Sequence, residues 1–64
     1  MKLNELTPGF QKIELYEYSE DFGMLRPPYL MTFNQAVELY GDRKVLFYED
    51  HVETERTEVL IDKL

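Results

Sequence analysis

Ser19, His51 and Asp50 are the residue types of a nucleophile, its base and an orienting acid. Such chemistry needs the base within hydrogen-bond reach of the hydroxyl, and donors for the developing oxyanion. Ser19 lacks the context of a nucleophile elbow. His51 falls near the tip of an expected hairpin, where an imidazole is ordinarily solvated. The chain is therefore read as non-enzymatic. Asp50, Glu53 and Glu55 do not follow the spacing of a calcium loop, and the glycine that loop needs is absent. No glycine run is present to cradle a phosphate. With no cysteine and a single histidine, the sequence offers no structural zinc set. No metal and no cofactor are expected.

The acids themselves carry more information. They fall into two groups, Glu14, Glu17, Glu20 and Asp21, then Glu49, Asp50, Glu53, Glu55 and Glu58. Residues i and i+2 of a strand lie on one side about 6.7 Å apart. Glu53 with Glu55, and Glu20 with Asp21 near the end of the first strand, are thus expected to present negative charge in rows. Charge rows interleaved with exposed aromatics are what a protein needs to imitate a DNA backbone and enter the basic groove of a DNA-binding enzyme. The plain alternative is an ordinary solvated acidic surface.

Composition narrows the class. Thirteen acids against seven bases leave a formal charge of −6, which argues against direct nucleic-acid binding. It favours a basic partner surface. The aromatic share of 14% is too high for a disordered acidic chain. No apolar run has the length of a membrane span, and Met1-Lys2-Leu3 leads into polar residues, so no signal peptide is expected. Lack of cysteine fits a reducing cytoplasm, which is the expected location.

These residues have to be positioned by one small domain, because 64 residues make no more than one. Its organising stretch runs from Met31 to Tyr48. Thr32 is an N-cap and Gln35, three residues on, completes a capping box. Phe33, Ala36, Val37 and Tyr40 share one helix face, with Asn34, Gln35 and Glu38 on the wet side. Gly41 is expected to end the helix in a left-handed conformation. Strands are expected at Lys12–Tyr18, Lys44–Asp50 and Thr57–Asp62 by alternation. Residues Met1–Gln11 read as a lead-in, and Ser19–Leu30 as an irregular loop with a proline pair, Pro27-Pro28. The turn between the last two strands lies somewhere in His51–Arg56.

The expected fold is α+β, a three-stranded antiparallel sheet with one helix in the order β-α-β-β. A helix covers only one face of such a sheet. The other would carry Tyr16, Tyr18, Leu46, Tyr48 and Leu60, an apolar patch of the kind that meets a partner. A homodimer through that face also compensates for a small core. The alternative is that the N-terminal arm and the proline loop fold over it.

Tyr16-Glu17-Tyr18 before the helix and Leu39-Tyr40-Gly41 at its end resemble motifs of the small phage-encoded uracil-DNA glycosylase inhibitors of the dimeric DNA-mimic type. The similarity spans about Lys12 to Tyr48. That family is short, acidic and cysteine-free, with one helix per protomer on a three-stranded antiparallel sheet. Its helix presents a phenylalanine and a glutamate where this chain has Ala36 and Val37, and the phenylalanine helps form the apolar pocket that grips the enzyme. Tyr40 is the matched functional position, with Phe33 and Glu38 as substitutes from neighbouring turns. The resemblance implies a non-enzymatic inhibitor of a host nucleic-acid enzyme, with uracil-DNA glycosylase first and a CRISPR or other defence nuclease second. Its expected contacts are Tyr40, Glu38, Phe33, Glu49, Asp50, Glu53, Glu55, Glu20 and Asp21. The rival reading is an acidic accessory or assembly domain.

Overall fold

The local signals around Thr32 produce the helix they predict. In the computed structural model, which describes residues 1–18 and 28–63, α1 spans Phe33–Tyr40. The Thr32 hydroxyl accepts from the Gln35 N–H at 3.2 Å, and the Gln35 side-chain oxygen accepts from the Thr32 N–H at 3.1 Å. Ala36 is buried, and Phe33 and Tyr40 pack against the core. Gly41 differs from expectation. Its φ of −55° and ψ of −31° are right-handed, because the chain turns on through an Arg43 N–H to Tyr40 carbonyl bond of 2.9 Å. Glycine is required there by close approach, since a Cβ would lie 2.5 Å from the Val37 carbonyl oxygen.

The fold is α+β with one helix, and its sheet has four strands in mixed orientation. These are β1 (Lys12–Glu17), β2 (Tyr29–Thr32), β3 (Val45–His51) and β4 (Arg56–Ile61), ordered β2-β1-β4-β3. β2 is antiparallel to β1, β3 is antiparallel to β4, and the central pair β1 and β4 is parallel. The expected three-stranded antiparallel sheet is corrected by β2, which lies where irregular chain was expected. The parallel pairing of β1 with β4 is the second departure, since an all-antiparallel sheet was expected. The hairpin turn falls at residues 52–55, and Glu55 takes a φ of 55°, a conformation disfavoured for a residue with a side chain.

Register decides what each face carries, because paired residues share a face. Thr57, Val59 and Ile61 of β4 face the helix and are buried, as are Ile13 and Leu15 of β1. Along β3 the pairing moves from Val45–Ile61 to Phe47–Leu60, two residues against one, which makes Leu46 a bulge. The bulge swaps the faces beyond it. Phe47 joins Leu60 on the outer face, and Tyr48 joins Val59 on the helix side. Of the five expected interface residues, Tyr16 and Leu60 do share the outer face through their pairing. Tyr48 does not, Leu46 sits in the bulge, and Tyr18 lies just beyond β1 with its N–H donating to the Ile61 carbonyl.

The expected lead-in is part of the core. Leu3 and Leu6 are buried together with Ile13, Leu15, Ala36, Val59 and Ile61, so arm and helix cover the same face. Met1–Leu3 also run along the start of β3. The Val45 N–H donates to the Met1 carbonyl at 2.8 Å, Lys2 bridges Lys44, and the Leu3 N–H donates to the Arg43 carbonyl at 2.9 Å. Ser19, Glu20 and Asp21 lie outside the described residues.

Arg43 joins these pieces. Its side chain is nearly buried and donates to the Glu17 carboxylate at 2.9 Å and, through Nε at 2.7 Å and a second guanidinium nitrogen, to the Asp62 carbonyl. Its guanidinium carbon lies 5.8 Å from the Tyr40 ring centre. Hydrogen bonds involving charged groups each contribute about 1.5–3 kcal/mol, so Arg43→Met is expected to lower unfolding stability by about 2–4 kcal/mol. Arg43→Lys should restore only part of that loss, because an ammonium lacks the planar fork. Urea denaturation followed by circular dichroism measures both.

Candidate functional site

Three strands repeat one pattern on the outer face. Lys12, Glu14 and Tyr16 alternate along β1, and Arg56, Glu58 and Leu60 along β4. On antiparallel β3 the same sequence of types reads backward as His51, Glu49 and Phe47. The registers align them into rows across the sheet. Glu14 pairs with Glu58 and Glu58 with Glu49, giving three adjacent carboxylates whose row continues to Leu30 on β2. Tyr16 pairs with Leu60 and Leu60 with Phe47, giving an apolar row. His51 pairs with Arg56, and Lys12 and Arg56 both stand one residue before the Ile13–Thr57 pair, giving a basic row. Phe47 is 47% exposed and Leu30 61% exposed. Among the described residues no element packs over these rows, since helix and arm lie on the other side.

The rows are partly compensated. Arg56 donates to Glu14 at 3.1 Å. His51 Nε2 lies 3.5 Å from a Glu58 oxygen and 3.8 Å from a Glu49 oxygen. The Tyr16 hydroxyl donates to the other Glu14 oxygen at 3.4 Å. Partial burial first, then the charges of Glu14 and Glu58 and the bond to Glu14, push this hydroxyl above its ordinary pKa. His51 keeps part of its ring exposed, as expected near a hairpin tip, and its place on β3 sets the imidazole near the carboxylates of Glu49 on the same strand and Glu58 on the next.

The remaining expected contact residues do not converge. Glu38 is exposed on the helix. Phe33 packs on the core. Tyr40 is half-buried and stacks on Tyr29, with ring centres 6.4 Å apart and planes 19° apart. Glu53 and Glu55 are exposed in the hairpin turn. Asp50 pairs with Thr57, on the helix-side face, while its neighbour His51 pairs with Arg56 on the outer face. Asp50 also has internal work, accepting from the Thr57 hydroxyl at 2.6 Å and from the Gly9 N–H at 3.0 Å. A Cβ at Gly9 would come within 2.5 Å of the other Asp50 oxygen, so a side chain there would displace the carboxylate from this arrangement.

Sequence reasoning missed the carboxylate row, Phe47 as an outer residue, and the grouping of Glu49, His51 and Glu58. The base–acid–apolar alternation repeated on three strands was the available signal. Comparison with known proteins finds no matching family model, no similar curated protein and no similar solved structure. Among the described residues no helix is long and apolar enough to cross a membrane.

The Asp50 latch carries a pH dependence. The bond from Thr57, then that from Gly9, hold its carboxyl below the ordinary carboxylate pKa, with the charge of His51 adding least and burial opposing. A depressed folded-state value means the contribution is complete above the unfolded value and disappears as pH falls through the folded one. The stability difference between the native chain and Asp50→Asn should therefore be present at neutral pH and close below about pH 4. Denaturant midpoints of both proteins, measured from neutral to acid pH, test this. A difference that stays constant over the range would exclude the latch as its source.

Proposed function

We propose that this chain is a non-catalytic, phage-type inhibitor that binds the basic DNA-binding surface of a host nucleic-acid enzyme as a DNA mimic, acting in the bacterial cytoplasm. The observation that carries this reading is the row of Glu14, Glu58 and Glu49 lying beside the apolar row of Tyr16, Leu60 and Phe47. The carboxylates supply the charge that steers association, and the apolar row supplies contact area that holds a formed complex. Glu53 and Glu55 extend the negative charge into the hairpin turn. Uracil-DNA glycosylase is the first target to test, from the two short motifs, and a CRISPR or other defence nuclease is the second. The mixed four-stranded sheet departs from the antiparallel three-stranded sheet of the glycosylase inhibitors, so the choice of target rests on the motifs alone.

The deciding assay adds the protein to bacterial uracil-DNA glycosylase and a uracil-containing duplex, at equimolar and about tenfold excess. Inhibition is expected to be competitive with DNA, and association should slow as salt shortens the screening length. Neutralising Glu14, Glu49 and Glu58 together to Gln should reduce the association rate by about tenfold or more. Phe47→Ala should act on dissociation. Full uracil release at the higher ratio rejects this target, and the same format applied to a defence nuclease tests the second.

A second reading has its own observation. Arg56 bonds Glu14, and Lys12 lines the same face, so part of the outer charge is balanced within the chain. This favours an acidic accessory or assembly domain, with the apolar row joining two copies. Light scattering should then give about twice the 7.7 kDa chain mass at micromolar concentration. Phe47→Asp should return the monomer, because it places a charge in a close-packed contact. A dimer that persists in Phe47→Asp excludes this face as the contact. A dimer abolished by it assigns the face to self-association and leaves Glu53 and Glu55 as the acids available to a target.

A further inference from the structure

We infer that Glu49, His51 and Glu58 form a binding site for a divalent transition-metal cation of the zinc class. Glu49 and His51 stand at i and i+2 on β3, so both side chains leave the outer face. Glu58 stands directly opposite Glu49 on β4. One ligand atom from each residue lies within 4.8 Å of the other two.

The separations are informative. His51 Nε2 stands 3.5 Å from a Glu58 oxygen and 3.8 Å from a Glu49 oxygen. Both exceed the 2.7–3.2 Å range of an N–H···O hydrogen bond. In a tetrahedral site with bonds of about 2.0–2.2 Å, neighbouring ligand atoms lie about 3.4 Å apart. The imidazole therefore stands toward the two carboxylates at spacings close to those of a coordination sphere.

Charge gives a separate argument. Like charges directly opposite each other in a ladder destabilise the pair. Here Glu49 opposes Glu58, and Glu14 follows on the far side of Glu58. The nearby guanidinium of Arg56 is directed to Glu14 at 3.1 Å. A cation between Glu49 and Glu58 removes the repulsion that remains. One nitrogen and two oxygens suit zinc, copper or nickel, whereas calcium takes six to eight oxygens. Three protein ligands leave a position open to water or to a partner's side chain.

Zinc sulfate titrated into the full chain tests the site by calorimetry. One equivalent is expected to bind with a dissociation constant of about 1–100 µM. Replacing a residue that merely supports a metal ligand costs 10–100-fold in affinity. His51→Ala, Glu49→Gln and Glu58→Gln, which remove ligands themselves, should each weaken binding by at least about tenfold. The Glu53→Gln/Glu55→Gln double variant should bind as the native chain does. In the native chain, zinc should shift the His51 ring resonances, a readout that needs no variant to fold. No binding up to about 1 mM zinc would overturn the inference. So would binding that survives all three ligand substitutions, falls equally in the turn variant, or leaves the His51 ring unshifted.

Discussion

The buried guanidinium of Arg43 is the contact on which the rest of this structure hangs. It stands where the chain leaves the helix, and it reaches β1 through Glu17 and the end of β4 through the Asp62 carbonyl. Its own carbonyl receives the N-terminal arm through Leu3. A single side chain thus ties the helix end to both central strands, and its backbone fixes the segment that places Leu3 in the core. A buried charge is tolerable only with its donors occupied, so the positions of Glu17, Asp62 and Tyr40 are mutually constrained. The helix, both central strands and the arm share that constraint, which gives a domain of modest core a second source of definition.

How much of this was legible in the sequence depended on the range of the signal. The helix was legible because Thr32 and Gln35 satisfy each other across one turn, and because Phe33, Ala36 and Tyr40 repeat at helical spacing. Strands β1, β3 and β4 were legible from alternation. β2 was not. It has four residues, follows a proline pair and ends on the N-cap itself, so no period had room to develop. The Leu46 bulge was equally hidden, since nothing local distinguishes Val45-Leu46-Phe47-Tyr48 from regular alternation. It is visible only against Leu60 and Ile61 of the partner strand.

The candidate site shows the same division. The order of base, acid and apolar residue on each of three strands is written in the chain, and the sequence reading treated the acids by proximity along it instead. Grouping Asp50 with Glu53 and Glu55 placed together residues that the fold separates between the helix-side face and the turn. Glu14, Glu49 and Glu58, far apart in sequence, become neighbours. Tyr40 and Phe33, the helix positions expected as contacts, also anchor the helix, through Tyr29 and the core respectively.

The run of Met1–Leu3 along the start of β3 has a consequence for how copies of this protein meet. A bare strand edge is a template for adding a foreign strand, the first step of uncontrolled polymerisation. Here the entry to that edge, from Arg43 to Val45, is already paired with the chain's own backbone. Further along, the strand carries Glu49 and Asp50, whose charges repel an identical strand laid alongside. The opposite border, β2, is only four residues long. Both borders thus discourage ribbon-like growth, and a flat apolar row on the outer face is tolerated in a small acidic protein without committing it to fibrils.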